Sequence, residues 1–150
     1  EKAYNNPLDL KAREKMAEAS IVAGVAFSHP RTTGSHACSF PLTNIYGLPH
    51  GEACAFTLDY FLKFNAEHAD GDGRITALAK DCGFNDAFEM ADEITAMKKR
   101  MGMRCTLSEI GCETDEQIDE LTKKSMSMLM TRNPITLTQK DIKEMYIKLK

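Results

Sequence analysis

What the sequence lacks narrows it first. No apolar run approaches the ~20 residues that a membrane-crossing helix needs, so a helical membrane protein is not expected. No segment alternates apolar and polar residues over the length of a strand, which argues against a sheet core. No glycine-rich loop follows a strand, so nothing here would hold a dinucleotide pyrophosphate. Charge of one sign is missing as well. The 19 Lys and Arg are interleaved with 22 Asp and Glu, for a net charge of −3, which leaves no basic face for nucleic acid. The five cysteines, Cys38, Cys54, Cys82, Cys105 and Cys112, form no C-x-x-C pair. With no signal peptide read either, a reducing cytoplasm is the expected location, with most thiols serving as small apolar groups. Repeats and low-complexity stretches are also absent.

What is present is helical. The 150 residues are 43% hydrophobic and 27% charged, the mix of one globular domain, and a chain of this size buries roughly 70% of its unfolded surface. "NNPLDLKAREKMAEASIVAGVAF" starts with an Asn6 cap, Pro7 in the first turn and Asp9 at the positive helix end. Its polar face disappears after Glu18, so the helix is expected to run from the surface into the core. His29-Pro30 breaks it, Thr32 or Thr33 can cap a short successor, and Pro41 is expected to end that one. "PHGEACAFTLDYFLKFNAEHA" reads as one helix with His50 near its N-terminus and Ala53, Phe56, Tyr60 and Phe64 as its apolar stripe. Gly83 and Gly102 stop two further helices, the second with an Asn85 cap and a basic last turn. Thr114 with Gln117, and Thr138 with Asp141, are capping boxes. The expected fold is an all-α helical bundle of roughly six or seven helices.

"HADGDGRITALA" imitates a calcium loop, but His68 and Ala79 stand where its first and last carboxylates belong. It reads as an inter-helix turn, with Asp and Gly chosen for their backbone behaviour.

"GSHACSFPLTNIYGLPHGEACA" carries the chemistry. His36 and His50 lie among small residues, with Gly34 and Ser35 before the first and Gly51, Ala53 and Cys54 after the second. Two imidazoles in such surroundings suit a shared metal, because neutral imidazole binds zinc, iron and nickel. An alternative from the same residues is a structural zinc site of His36, Cys38, His50 and Cys54.

This block resembles the metal-binding core of the iron-containing (group III) alcohol dehydrogenases, in which a His is followed some fourteen residues on by Pro-His-Gly and small residues. "DLKAREKMAEASIVAGVAFS", "FLKFNAEHA" and "RNPITLTQKDIKEMY" are similar to flanking helices of that family. The resemblance implies the C-terminal part of a dehydroquinate synthase-like helical domain. It implies a divalent metal, Fe2+ or Zn2+, held by one Asp and three His, of which His36 and His50 are the last two. The Asp, the third His and the NAD(P)-binding domain are expected upstream, in a longer protein that interconverts a small alcohol and an aldehyde. Hydride leaves an alcohol carbon only from the alkoxide, whose charge a divalent cation favours.

Where many members carry a further His four residues after the first metal-binding His, this sequence has Phe40. That is similar to a branch containing 4-hydroxybutyrate dehydrogenase and phosphonoacetaldehyde reductase. Phe40 is then expected to shape the substrate or nicotinamide pocket, with packing as the alternative. "RTTGSH" is similar to the phosphonoacetaldehyde branch, where Arg31 would meet an anionic tail; a solvated Arg31 is the alternative. The expected partners are the protein's own nucleotide-binding domain and further copies of itself, brought together by apolar surface that the absent segments leave open. The 150 residues alone are expected to be inactive and metal-free or to hold only an adventitious ion, with their two histidines still convergent, because two imidazoles without the carboxylate make a poor cage for iron(II). A free-standing helical interaction or structural module, zinc-stapled or not, is the competing class.

Overall fold

The computed structural model describes residues 1–150, and every regular element in it is helical. The chain divides into two compact units, residues 1–32 and 33–150.

The first unit holds α1 (Lys2–Asn5) and α2 (Leu10–Phe27). Asn6 closes a turn by accepting from the Leu8 N–H at 3.3 Å, and the cap of α2 is instead Asp9, whose Oδ1 accepts from the Ala12 N–H at 3.1 Å. A carboxylate there also meets the positive end of the helix. No residue of α2 is buried, and Leu10, Ile21 and Val25 are each 70% exposed or more. The expected dive into a core is therefore not what α2 does. The four-residue α1 is the only other helix of the unit and is too short to cover an apolar face of eighteen residues. An all-round apolar helix signals that it can be buried; its sequence does not supply the surface that buries it.

The second unit comprises α3 (Gly34–Tyr46), α4 (His50–Phe56), α5 (Leu58–Ala69), α6 (Arg74–Asp81), α7 (Ala87–Arg100), α8 (Asp115–Ser125) and α9 (Gln139–Lys148). Single 3-10 turns lie at Ser108–Ile110 and Met130–Arg132. Helix α3 packs against α4 and α8, α5 against α7, and α8 against α9. The core between them contains Leu42, Phe56, Phe61, Leu121, Ile142 and Tyr146. Tyr146 is wholly buried yet satisfied, because its hydroxyl pairs with Ser125 Oγ at 2.8 Å while Ser125 donates to the Leu121 carbonyl at 2.9 Å. Burying both hydroxyls is tolerable only because they meet. The bundle closes on itself where the Leu107 N–H donates to the Leu149 carbonyl at 2.7 Å.

Local signals place most helix ends. Both capping boxes form at Thr114 and Thr138. Gly83 and Gly102 take the positive φ that stops α6 and α7. The cap of α7 is Asp86, one residue past Asn85, and accepts from the Phe88 and Glu89 N–H groups. The Asp70 carboxylate accepts from the Ile75 and Thr76 N–H groups at 2.7 and 3.0 Å, so the calcium-like stretch is a turn that caps α6.

Two ends do not follow the local signal. Pro41 does not stop α3 but sits buried inside it, and the helix runs to Gly47, a left-handed cap at φ 70°. Proline removes the hydrogen bond to the Ala37 carbonyl, while Ser39 Oγ adds a bond to the neighbouring His36 carbonyl at 2.7 Å. Ala37, Cys38, Ser39, Pro41 and Leu42 are all buried along this helix, and that packing outweighs the lost bond. The helix expected over residues 49–69 is divided at Thr57 into α4 and α5.

Candidate metal centre

The two histidines come from different helices. His36 lies in the first turns of α3, and His50 is the first residue of α4 after the Gly47–Pro49 turn. Their rings meet edge to face, with centroids 4.8 Å apart and planes at 87°. Cys54, one turn after His50 on the same face of α4, turns its sulfur to both. Sγ lies 3.4 Å from His36 Nδ1 and 3.6 Å from His50 Nε2. All three donor atoms lie within 4.8 Å of one another. Two nitrogens on one metal sit roughly 3 to 3.5 Å apart, and the 4.8 Å limit on the spread of the three donor atoms is compatible with that convergence. His36 is half-buried, and its desolvation, followed by the facing His50, holds its pKa below the ordinary 6.5. A neutral imidazole with a free lone pair is the form that binds a metal. The donor set therefore suits a borderline divalent ion.

Phe40 stands one helical turn after His36, with its ring edge-on to that imidazole at 5.2 Å and tilted toward His50 at 6.2 Å. It is 44% exposed, so it walls the histidines rather than filling the core. Arg31 belongs to the first unit and is exposed.

Cys38 is not part of the cluster, and the four-ligand zinc site does not form. It stands two residues after His36, about 200° around a helix, and its thiol faces Tyr146, Ser125 and Thr57. Burial pushes that thiol up to about 11. In the folded chain, mildly alkaline iodoacetamide should alkylate the exposed Cys82 and leave Cys38 unmodified, as read by mass spectrometry; equal labelling would contradict the buried placement.

Three anchors hold α4 and the start of α3, and none was evident from local sequence. Glu52, two residues after His50, accepts from Arg104 Nε at 2.9 Å, from Arg104 Nη2 at 2.7 Å and from the Arg104 N–H at 2.9 Å. Lys98 is almost fully buried; its Nζ donates to the Ala55 and Phe56 carbonyls at 3.2 and 3.3 Å and to Asp59 Oδ1 at 2.7 Å. It thus satisfies carbonyls freed where α4 breaks at Thr57. Gly34 lies against the Phe61 ring so closely that a Cβ there would come within 2.2 Å of it. A lysine in a basic last turn reads as solvated, and only packing shows otherwise.

The hydrogen bonds from Arg104 hold the Glu52 carboxyl below its ordinary 4.5. A depressed acid stabilises the fold above its unfolded pKa and loses that contribution as pH falls through the folded one. Wild type should therefore exceed Glu52→Gln in stability at neutral pH, with the gap closing as the pH drops below about 4.5; urea unfolding over pH 3 to 7 reads this. A gap that does not change with pH would remove the ionic anchor.

Comparison with known proteins follows the same lines. Residues 1–149 match the Fe-containing alcohol dehydrogenase family, C-terminal. An alcohol dehydrogenase of Thermococcus barophilus is 32% identical over 141 residues, covering 92% of this chain and 36% of that protein. The sulfoacetaldehyde reductase of Bifidobacterium kashiwanohense, solved in complex with NAD+, superposes with a TM-score of 0.92 at 48% identity over 98% of this chain and 38% of that one. An iron-containing alcohol dehydrogenase of Thermococcus thioreducens gives a TM-score of 0.80 at 28% identity, over 94% of this chain and 38% of that one. The chain spans little more than a third of the length of these relatives.

Proposed function

Because the chain belongs to the Fe-containing alcohol dehydrogenase family, we propose that it is the helical metal-binding part of an NAD(P)-linked enzyme interconverting an alcohol and an aldehyde. His36 and His50 supply two ligands of a divalent ion, iron or zinc. The observation that carries this reading is the convergence of the two imidazoles from separate helices, with Cys54, inside 4.8 Å. A cation held there supplies positive charge to the substrate oxygen, where negative charge develops during hydride transfer.

The chain's own residues do the rest of what is proposed for it. His36, whose desolvation and facing His50 favour its neutral form, presents a lone pair to a cation. His50 faces it from the start of α4, and Phe40 sets an apolar ring beside both imidazoles. The nicotinamide cofactor is assigned to a separate nucleotide-binding domain, since a strandless chain offers no dinucleotide cradle. The remaining metal ligands are assigned outside this chain as well.

The substrate class proposed is a small aldehyde with an anionic tail and the corresponding alcohol. Its support is the 48% identity to a sulfoacetaldehyde reductase. Arg31 is the residue assigned to that tail, on the sequence similarity of "RTTGSH" alone. Five free cysteines favour a reducing cytoplasm, and no helix is long and apolar enough to cross a membrane. Association of copies belongs to the same reading. It is supported by the exposed Leu10, Ile21, Val22, Val25 and Phe27 of α2. Sedimentation of the 150-residue chain should show concentration-dependent self-association, and a clean monomer at high concentration would count against it.

The test of the metal reading is calorimetric titration of the chelator-treated 150-residue chain with Zn2+. One ion per chain is expected, with binding lost in both His36→Ala and His50→Ala. Unchanged binding in either variant would overturn the shared site. The same chain should oxidise no alcohol with NAD+ or NADP+. Oxidation that disappears in His36→Ala would show that the rest of the enzyme had been wrongly assigned elsewhere.

A further inference from the structure

A cavity of about 580 Å³ lies between α5, α9 and the start of α7. It shares no residue with the histidine cluster. Its size falls within the ~300–1,000 Å³ of small-molecule sites. We propose that it binds a small quaternary ammonium ion, of the trimethylammonium class, held by aromatic rings inside a rim of carboxylates.

Helical spacing builds the wall. Tyr60, Phe64 and His68 stand four residues apart on α5, so they project from one face. Tyr60 and Phe64 stack with centroids 6.1 Å apart and planes at 17°, and the His68 ring follows 4.6 Å from Phe64. Phe88, the second residue of α7, lines the cavity as well and is 45% exposed. A phenylalanine that only packed would be covered.

Carboxylates set the sign. Glu67, Asp141 and Glu144 line the same cavity. Their field reaches into it: burial, then the charges of Glu144, Asp141 and Glu67, hold the Tyr60 phenol above its ordinary 10. The chain answers that field with a cation of its own. Lys148 Nζ lies over the Tyr60 ring, 5.7 Å from its centroid, within the ~6 Å at which a ring face attracts an ammonium. Lys63, the other lysine of the lining, is balanced by Asp92 at 2.5 Å.

The kind of cation follows from the acceptors on offer. Asp141 Oδ2 is taken by the Thr138 N–H and hydroxyl, both at 2.7 Å. Glu67 faces His68 at 3.8 Å, and Glu144 faces Lys140 at 3.8 Å. A primary ammonium gives up strong hydration and needs acceptors for three N–H groups. A quaternary ammonium has no N–H to satisfy and needs only charge and ring faces. Bound here, it takes the Tyr60 face from Lys148.

The test is NMR titration of the 150-residue chain with choline, read at the choline N-methyl protons and at the rings of Tyr60, Phe64 and Phe88. Saturable binding of one choline per chain is expected, with the N-methyl resonance moved upfield by the rings it faces. Neohexyl alcohol, which has the shape of choline without its charge, should bind ~10-fold or more weakly. Ethanolamine should also bind more weakly than choline. These comparisons need no variant to fold. Phe88→Leu should weaken choline ~3-fold or more, and Glu144→Gln ~2-fold or more. Lys148→Ala should tighten it ~3-fold or more by clearing the Tyr60 face. Absence of saturable choline binding, or Tyr60 and Phe64 rings unmoved at saturation, would overturn the site. Neohexyl alcohol binding as well as choline would reduce it to an apolar slot and overturn the proposal. Ethanolamine matching choline, or choline weakened by Lys148→Ala, would overturn the quaternary assignment.

Discussion

Asp59→Ala will destabilise the helical unit by about 3–5 kcal/mol, the range for removing one partner of a buried ion pair. Its carboxylate accepts from Lys98 Nζ at 2.7 Å, and the two side chains are only 14% and 3% exposed. It also accepts from the Thr95 hydroxyl. Removing it leaves an ammonium in the interior with only the Ala55 and Phe56 carbonyls for company. The converse change, Lys98→Met, frees those carbonyls at the break between α4 and α5 and strands Asp59. The double variant Asp59→Leu with Lys98→Met should recover much of the loss, because replacing both charges with apolar groups is often near neutral. Urea unfolding of wild type, Asp59→Leu, Lys98→Met and the double variant completes the cycle. A loss below about 1 kcal/mol for Asp59→Ala would mean that water reaches the pair. Since Lys98 caps the helix that carries His50 and Cys54, zinc affinity should fall along with stability.

Gly34→Ala should be the most damaging small substitution, at the upper end of the ~1–3 kcal/mol typical of overpacking. An added Cβ would meet Phe61 Cε1 at 2.2 Å, Cζ at 2.6 Å and Cδ1 at 2.8 Å. Phe61 is 3% exposed and has no room to withdraw. The requirement is one of space, since Gly34 is not among the glycines with positive φ. Relief of the clash by Phe61→Leu should make the double variant less damaged than the sum of the single ones, by ~1 kcal/mol or more. Additive losses would show that the ring is not the obstacle. Gly51→Ala is the control. Beside His50 it reads as a place for close approach, yet nothing lies within 4 Å of a Cβ there, so stability should hold. The small residue next to His36 makes room for a phenylalanine two helices away.

The features legible in the sequence share a short range. The capping boxes at Thr114 and Thr138, the Asp70 turn and the glycine stops are decided within about six residues. The stop read at Pro41 and the unbroken helix read across Thr57 misled because what decides both lies elsewhere in the chain. Buried packing along α3 outweighs the proline, and Lys98, more than forty residues on, satisfies the carbonyls at the break in α4–α5. Cys38 could have been separated from Cys54 by helical phase once α3 was carried through Pro41. Reading the proline as a stop concealed that the thiol points away from His36.

By itself, then, the sequence determined the helical class, most helix ends, the pairing of His36 with His50 and the family. Each depends on residue type, local spacing or a contiguous motif. Tertiary structure decided which thiol faces the imidazoles, that a lysine is buried beneath their helix and that Gly34 must lack a side chain. Those outcomes depend on which surfaces meet, and contacts between residues 27 to 52 positions apart, as in Gly34–Phe61 and Glu52–Arg104, leave no periodic trace in the chain that makes them.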